Sequence, residues 1–226
     1  MTDVAVKRVA LLGKGSLAIH AGELVARAPD MSLDTVVPVA DEPDWDTGLS
    51  DHAARHWPHA LLLPSGDWRE LEPDRYDLVL SILYDRIIGR RLIEGSGRAI
   101  NLHPGPLPRY RGVRPVNWAL RNGERMHGVT LHEIDEGIDS GPVLAQALFT
   151  IWPEIDEVRD VWARSMAVAR TLLDETLPRF DRIPAVPQDQ AKALTYYRAQ
   201  NHELGDRSDW TRAQSTSLLK ADHNAK

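Results

Sequence analysis

Leu78–Pro104 reads LVLSILYDRIIGRRLIEGSGRAINLHP, and the two ends of this stretch decide the architecture. Leu78–Tyr84 is apolar nearly throughout, as a strand covered on both faces must be. Ile87–Ile93 has helix character and stops at EGSG, and Ala99–His103 is the next strand. The same alternation runs upstream. Lys7–Leu12 is a short β-rich run ending at GKGS, Leu17–Ala28 carries its apolar residues on one helical side, and Leu33–Val39 is a second strand. Asp51–Trp57 reads as a short helix capped by Ser50, and residues 60–64 as a third strand. Downstream, Pro115–Arg121 is helical, residues 127–135 and 141–151 are two strands joined by a turn, and Glu157–Leu177 is a long helix. This order predicts an α/β fold, an open, mostly parallel twisted sheet with helices on both faces. Residues 1–182 make the core. At 183–226 the composition turns polar and proline-punctuated, which predicts a short, partly irregular C-terminal extension.

Composition narrows the function. Of 226 residues, 42% are hydrophobic and 27% charged, enough for a packed core. A net charge of −6 argues against gripping nucleic acid with the whole surface. There is no cysteine, which removes disulfides, thiolate catalysis and cysteine metal sites. No apolar stretch is long enough to span a bilayer and the start carries no leader-like run, so a cytoplasmic protein is expected. Seven Trp against two Phe suggest flat amphipathic surfaces, or simply packing residues.

Residues two apart in a strand face the same way, so Asn101 and His103 point together while Leu102 turns into the sheet. They lie where a strand of such a sheet ends, the edge at which ligands bind. An amide and an imidazole aimed at one point suit a developing oxyanion. A loop cap and a half-buried histidine would place the same residue types there. A nearby carboxylate would orient the ring and favour its charged form; Asp135 and Asp139 lie in the turn that returns to this edge. His103 has no second ligand at a chelating spacing, so no metal is expected.

The wording around this edge is more specific. Asn101-Leu102-His103-Pro104, then Leu107-Pro108-Arg109-Tyr110-Arg111-Gly112, then Asp135-Glu136-Gly137-Ile138-Asp139-Ser140-Gly141 occur in that order. The chain thereby resembles the folate-dependent formyltransferases, densely over residues 78–151 and loosely elsewhere. The resemblance implies a Rossmann-like formyltransferase core, 10-formyltetrahydrofolate as co-substrate, and Asn101, His103 and Asp139 as the catalytic set. Asn101 and a protonated His103 would stabilise the oxyanion, and Asp139 would hold the imidazolium and help remove the amine proton. It also places the pterin against Tyr84, Arg86, Ile87 and Ile88, with Asp135 on the opposite wall. The alternatives are that the isoleucines begin a helix's buried side and that Asp135 and Asp139 bond their own turn.

For the acceptor, Lys14 and Ser16 at the first strand-to-helix turn could bind phosphate, or the turn could simply need its glycines. Arg109, Tyr110 and Arg111, with Arg114, could meet a phosphate or form a solvated loop. Methionyl-tRNA formyltransferases carry a further C-terminal domain, whereas sixteen residues follow Trp210 here. The expectation is therefore a small acceptor, best a nucleotide-linked amino sugar, without nucleic acid or membrane. Glycinamide ribonucleotide, an amino acid, a peptide-synthetase intermediate, or folate binding without turnover are the alternatives. The tail 211–226 is either disordered or used in forming a homodimer.

Overall fold

The computed structural model describes residues 5–44 and 46–204. The apolar runs form β1 (Lys7–Gly13), β2 (Met31–Pro38), β3 (Leu61–Leu62), β4 (Leu78–Ile82) and β5 (Ala99–His103). A short β6 (Arg111–Gly112) follows, then β7 (Met126–Glu133), β8 (Val143–Thr150) and a late β9 (Thr195–Tyr196). Seven of them make one sheet in the order β3-β2-β1-β4-β5-β7-β8, and β6 pairs with β9. β1 to β5 are mutually parallel, and β7 and β8 extend the sheet antiparallel. The helices are α1 (Gly15–Arg27), α2 (Leu49–His56), α3 (Arg90–Glu94), α4 (Pro115–Arg121) and α5 (Val158–Thr176).

Alternation along the strands sorts the core into two layers. Val9, Leu11, Leu80, Ile100 and Leu102 pack under α1 and α5. Ala10, Leu12, Val79 and Ala99 pack under α3 and a single helical turn at Trp68–Glu70. Each fully buried Leu or Ile contributes about 1.5–3 kcal/mol of transfer free energy. α5 buries Val158, Val161, Ser165, Ala169, Leu172 and Leu173, and a reciprocal cap between Glu157 and Asp160 starts it.

Most element boundaries lie a residue or two from the sequence expectation, and three differences have a clear local reason. β4 stops at Ile82 because Leu83 turns to φ +56°. α3 starts only at Arg90, after Gly89, which leaves Tyr84–Ile88 as a loop over the carboxyl end of the sheet. α2 is not capped by Ser50. The Glu42 carboxylate accepts from the backbone N–H groups of Leu49 (2.5 Å) and Ser50 (3.1 Å) instead.

The C-terminal extension is packed against the core as far as residue 204. Val186 bridges to Val143, and β9 runs parallel to β6. The Tyr196 ring stacks between Trp118 (4.4 Å) and Tyr110 (5.6 Å). Asn122 donates to both tyrosine hydroxyls. The tail 211–226 lies outside the described residues. Among those described, no helix is long and apolar enough to cross a membrane.

Candidate active site

Strand register assembles the first part of the site. Ser81 on β4 is in register with Asn101 on β5, and Asn101 stands directly opposite His132 on β7. Paired residues share a face, so three polar side chains form a row. Ser81 Oγ donates to Asn101 Oδ1 (2.8 Å), and Asn101 Nδ2 donates to His132 Nε2 (3.1 Å). His132 Nδ1 donates to the Glu133 carbonyl (2.7 Å), which leaves Nε2 as the acceptor. The Asn101 amide is thereby fixed, with a second N–H still to give.

His103 is buried one pleat further on. Its Nε2 donates to the Tyr110 carbonyl (2.7 Å), and its Nδ1 lies 3.4 Å from Asp139 Oδ2. A Cβ on Gly105 would come within 2.7 Å of that Nε2, so the loop can approach the ring only with glycine there. Asp139 sits in the β7–β8 turn at φ +48°. Its Oδ2 accepts from Gly112 N (2.8 Å), and its Oδ1 is 3.5 Å from His132 Nε2. Asn101, His103 and Asp139 are thus brought together from two chain segments, β5 and the β7–β8 turn.

Burial pushes the His103 imidazole below its ordinary value; Asp139 opposes this and His132 reinforces it. Burial thus works against the imidazolium expected from the sequence, and the Asp139 carboxylate works for it. Burial would raise Asp139. Charge on His103 and the Gly112 N–H outweigh it and hold the carboxyl well below the usual range. A neutral base facing a fixed carboxylate, beside an oriented amide donor, can accept a proton next to an incipient oxyanion.

Two cavities meet at this constellation, and Asn101 and Asp139 line both. The first, about 470 Å³, is lined by Tyr84, Arg86, Ile87, Ile88 and Asp135, all expected at the cofactor, with Ile134 and Ile138. Ile87 is 76% exposed and precedes α3, so it does not belong to a helix's buried side. Tyr84 Oη donates to the Gly66 carbonyl (2.6 Å), fixing its ring at the rim. Asp135 also bonds its own turn, accepting from Gly137 N (3.1 Å) and Ser140 Oγ (2.7 Å).

The second cavity, about 360 Å³, is lined by Lys14, His103, Arg114, Asn117, Trp162 and Arg198. Asn117 is 1% exposed, and its Nδ2 finds no partner among the described residues. The other residues expected at the acceptor line neither cavity. Ser16 gives its backbone N–H (3.1 Å) and Oγ (3.4 Å) to Asp46 Oδ2, so a carboxylate of the chain already stands where a phosphate would meet α1. Arg109 pairs with Glu124 at the surface. Tyr110 is buried, its hydroxyl donating to Glu124 (2.7 Å). Arg111 is buried against Gln188 and Gln190.

Sequence reasoning missed Ser81, His132, Gln188 and the Tyr196–Arg198 segment that enters both cavities. The β4–β5–β7 register would have found the first two.

The sequence and fold match proteins of known type. Residues 46–177 match the family described as formyl transferase. A methionyl-tRNA formyltransferase of Anaeromyxobacter dehalogenans is 35% identical over 221 residues, 91% of this chain and 69% of that protein. One from Geobacter metallireducens is 33% identical over 63% of this chain and 45% of its own length. Among solved structures, the N-formyltransferase of Helicobacter canadensis, in complex with folinic acid and dTDP-3-aminofucose, superposes with a TM-score of 0.70 at 24% identity. That match covers 86% of this chain and 71% of the other. A sugar N-formyltransferase from a Shewanella species gives 0.72 at 20% identity, over 94% and 86%. The structural likenesses carry the fold, the family match and the 35% identity carry the kinship, and the chain belongs to the formyl transferase family.

Proposed function

We propose that this protein transfers a formyl group from 10-formyltetrahydrofolate to the primary amine of a nucleotide-linked amino sugar. The observation that carries this reading is the meeting of two cavities at Asn101 and Asp139, one for each reactant of a group transfer. The first is lined by Ile87, Ile88, Ile134 and Ile138 together with polar groups such as Arg86 and Asp135, which fits a pterin. The second offers Lys14, Arg114 and Arg198 to an anionic acceptor and the Trp162 face to a ring.

The folate supplies the formyl group. Asn101 gives its remaining amide N–H to the formyl oxygen as charge develops on it, an interaction whose loss costs about 10²–10³ in kcat. His103 takes the proton that the attacking amine gives up, at Nδ1, and the imidazolium so formed is held by Asp139. When the C–N bond to the folate breaks, the same pair returns a proton to the leaving nitrogen.

One observation favours a second acceptor, methionyl-tRNA: the 35% identity to the Anaeromyxobacter enzyme. A net charge of −6 offers little to a phosphate backbone. An acceptor screen separates the two. The protein and 10-formyltetrahydrofolate are mixed with nucleotide-linked amino sugars, methionyl-tRNA, glycinamide ribonucleotide and free amines, and products are read by mass spectrometry. Formylation of one amino sugar, lost in His103→Ala, is expected. Product on methionyl-tRNA or glycinamide ribonucleotide alone would replace the acceptor, and no product on any amine would remove the activity.

A further inference from the structure

Gln188 lies in the C-terminal extension, far from the three motifs in sequence, and is buried beneath the turn that carries Asp139. Its carboxamide is fully committed. Nε2 donates to the carbonyls of Asp139 (2.9 Å) and Gly141 (2.7 Å). Oε1 accepts from Nε (3.0 Å) and Nη2 (2.6 Å) of Arg111. Asp139 needs such holding, because φ +48° is a left-handed conformation that a side chain disfavours. Its carboxylate accepts from Gly112, the residue after Arg111. One buried side chain therefore ties the backbone of the turn to the loop that grips its carboxylate.

We infer that Gln188, oriented by Arg111, is a positioning residue that holds the Asp139 turn so that its carboxylate faces His103. The inference rests on the role given to Asp139 above. It gives Arg111 a task inside the protein in place of a contact with substrate. It also makes the extension, through Gln188, part of the working site.

The test uses Gln188→Leu and Gln188→Glu in the full chain. Leucine removes both halves of the bridge. Glutamate keeps a partner for Arg111 but sets a carboxylate oxygen against two carbonyls. Both variants are expected to lower kcat about 100-fold, the loss that a displacement of about 1 Å brings. KM for the folate changes far less than kcat, because the Tyr84–Ile88 wall of that cavity is untouched. The His103 imidazole, followed by NMR across pH, titrates lower in Gln188→Leu than in the wild type, since the carboxylate that raises it has moved. Arg111→Met lowers kcat in the same direction and adds little to Gln188→Leu. Unchanged kcat in both variants overturns the inference, as does a loss of kcat with unaltered His103 titration. If the leucine variant does not fold, the glutamate variant decides by its kcat and KM. If the wild type formylates no acceptor, the functional reading fails by itself, and the His103 titration still decides the positioning claim.

Discussion

Asn101 and His132 face each other across the antiparallel β5–β7 pair, with Asn101 Nδ2 3.1 Å from His132 Nε2. Because His132 Nδ1 is committed to the Glu133 carbonyl, the imidazole can only accept from Asn101, and Ser81 completes the arrangement from the other side. Removing either neighbour leaves Asn101 in place but free to rotate. Ser81→Ala and His132→Phe should each lower kcat by up to about tenfold, one hydrogen bond's worth. KM for the folate should hardly move. Steady-state kinetics checks this, and an equal rise in KM would mean that the row shapes the cavity instead.

Asn101→Ala removes the donor itself. The expected loss is about 10²–10³ in kcat. Stability should fall far less than for a core deletion, since Asn101 lines two cavities and is only partly buried. Measuring kcat and a thermal melt on one preparation tests both halves.

Much of this was legible in the sequence, and what was not has a physical pattern. β5 and α4 have the boundaries read from their apolar patterns, because both are settled by burial along one short segment. α3 was misplaced because Ile87 and Ile88 look like a helix's apolar face, whereas Gly89 keeps them in the loop. The i, i+2 spacing alone put Asn101 and His103 together. Asp139 needed motif order, because no periodicity links a turn to a strand thirty-odd residues away. Ser81 and His132 depend on inter-strand register, and Gln188 reaches Asp139 across 49 residues of chain. Such closures leave no local trace. The neighbouring Lys14 and Ser16 make the same point, since one lines the acceptor cavity and the other turns to Asp46.

That divergence gives a further prediction. Lys14→Ala should raise KM for an anionic acceptor about five- to tenfold, the worth of one charge-assisted contact, with kcat nearly intact. Ser16→Ala and Arg109→Ala should leave both constants within about twofold, because neither residue lines either of the two cavities at the site. The Arg109–Glu124 pair lies at the surface with Arg109 about half exposed, and is worth about 0–1 kcal/mol of stability. A comparable KM rise in Ser16→Ala would restore the phosphate reading of the first turn.

His127 gives the fold a buried group that acid should charge. It is fully buried on β7, donates Nε2 to the Pro104 carbonyl (3.0 Å), and meets Tyr110 and Phe149 edge-on. Its Nδ1 has no partner among the described residues. Burial lowers its pKa to about 4, against a smaller opposing contribution from the Pro104 bond. In the unfolded chain the ring takes a proton near pH 6.5. Between pH 6.5 and 4 the unfolded state thus binds a proton that the native state refuses. The stability from keeping the ring neutral is complete above pH 6.5 and drains away as the pH falls towards 4, by about 3 kcal/mol. His103, also lowered, adds to the loss below pH 6.5, while Asp139, held well below the usual carboxylate range, matters only at more acid pH. His127→Phe keeps an aromatic ring and removes the titration. It should be less stable at pH 7, by about 1–3 kcal/mol for the orphaned Pro104 carbonyl, yet lose clearly less than the wild type between pH 7 and 4. Urea melts of both proteins at the two pH values decide the matter. Equal losses would place the acid-sensitive group elsewhere.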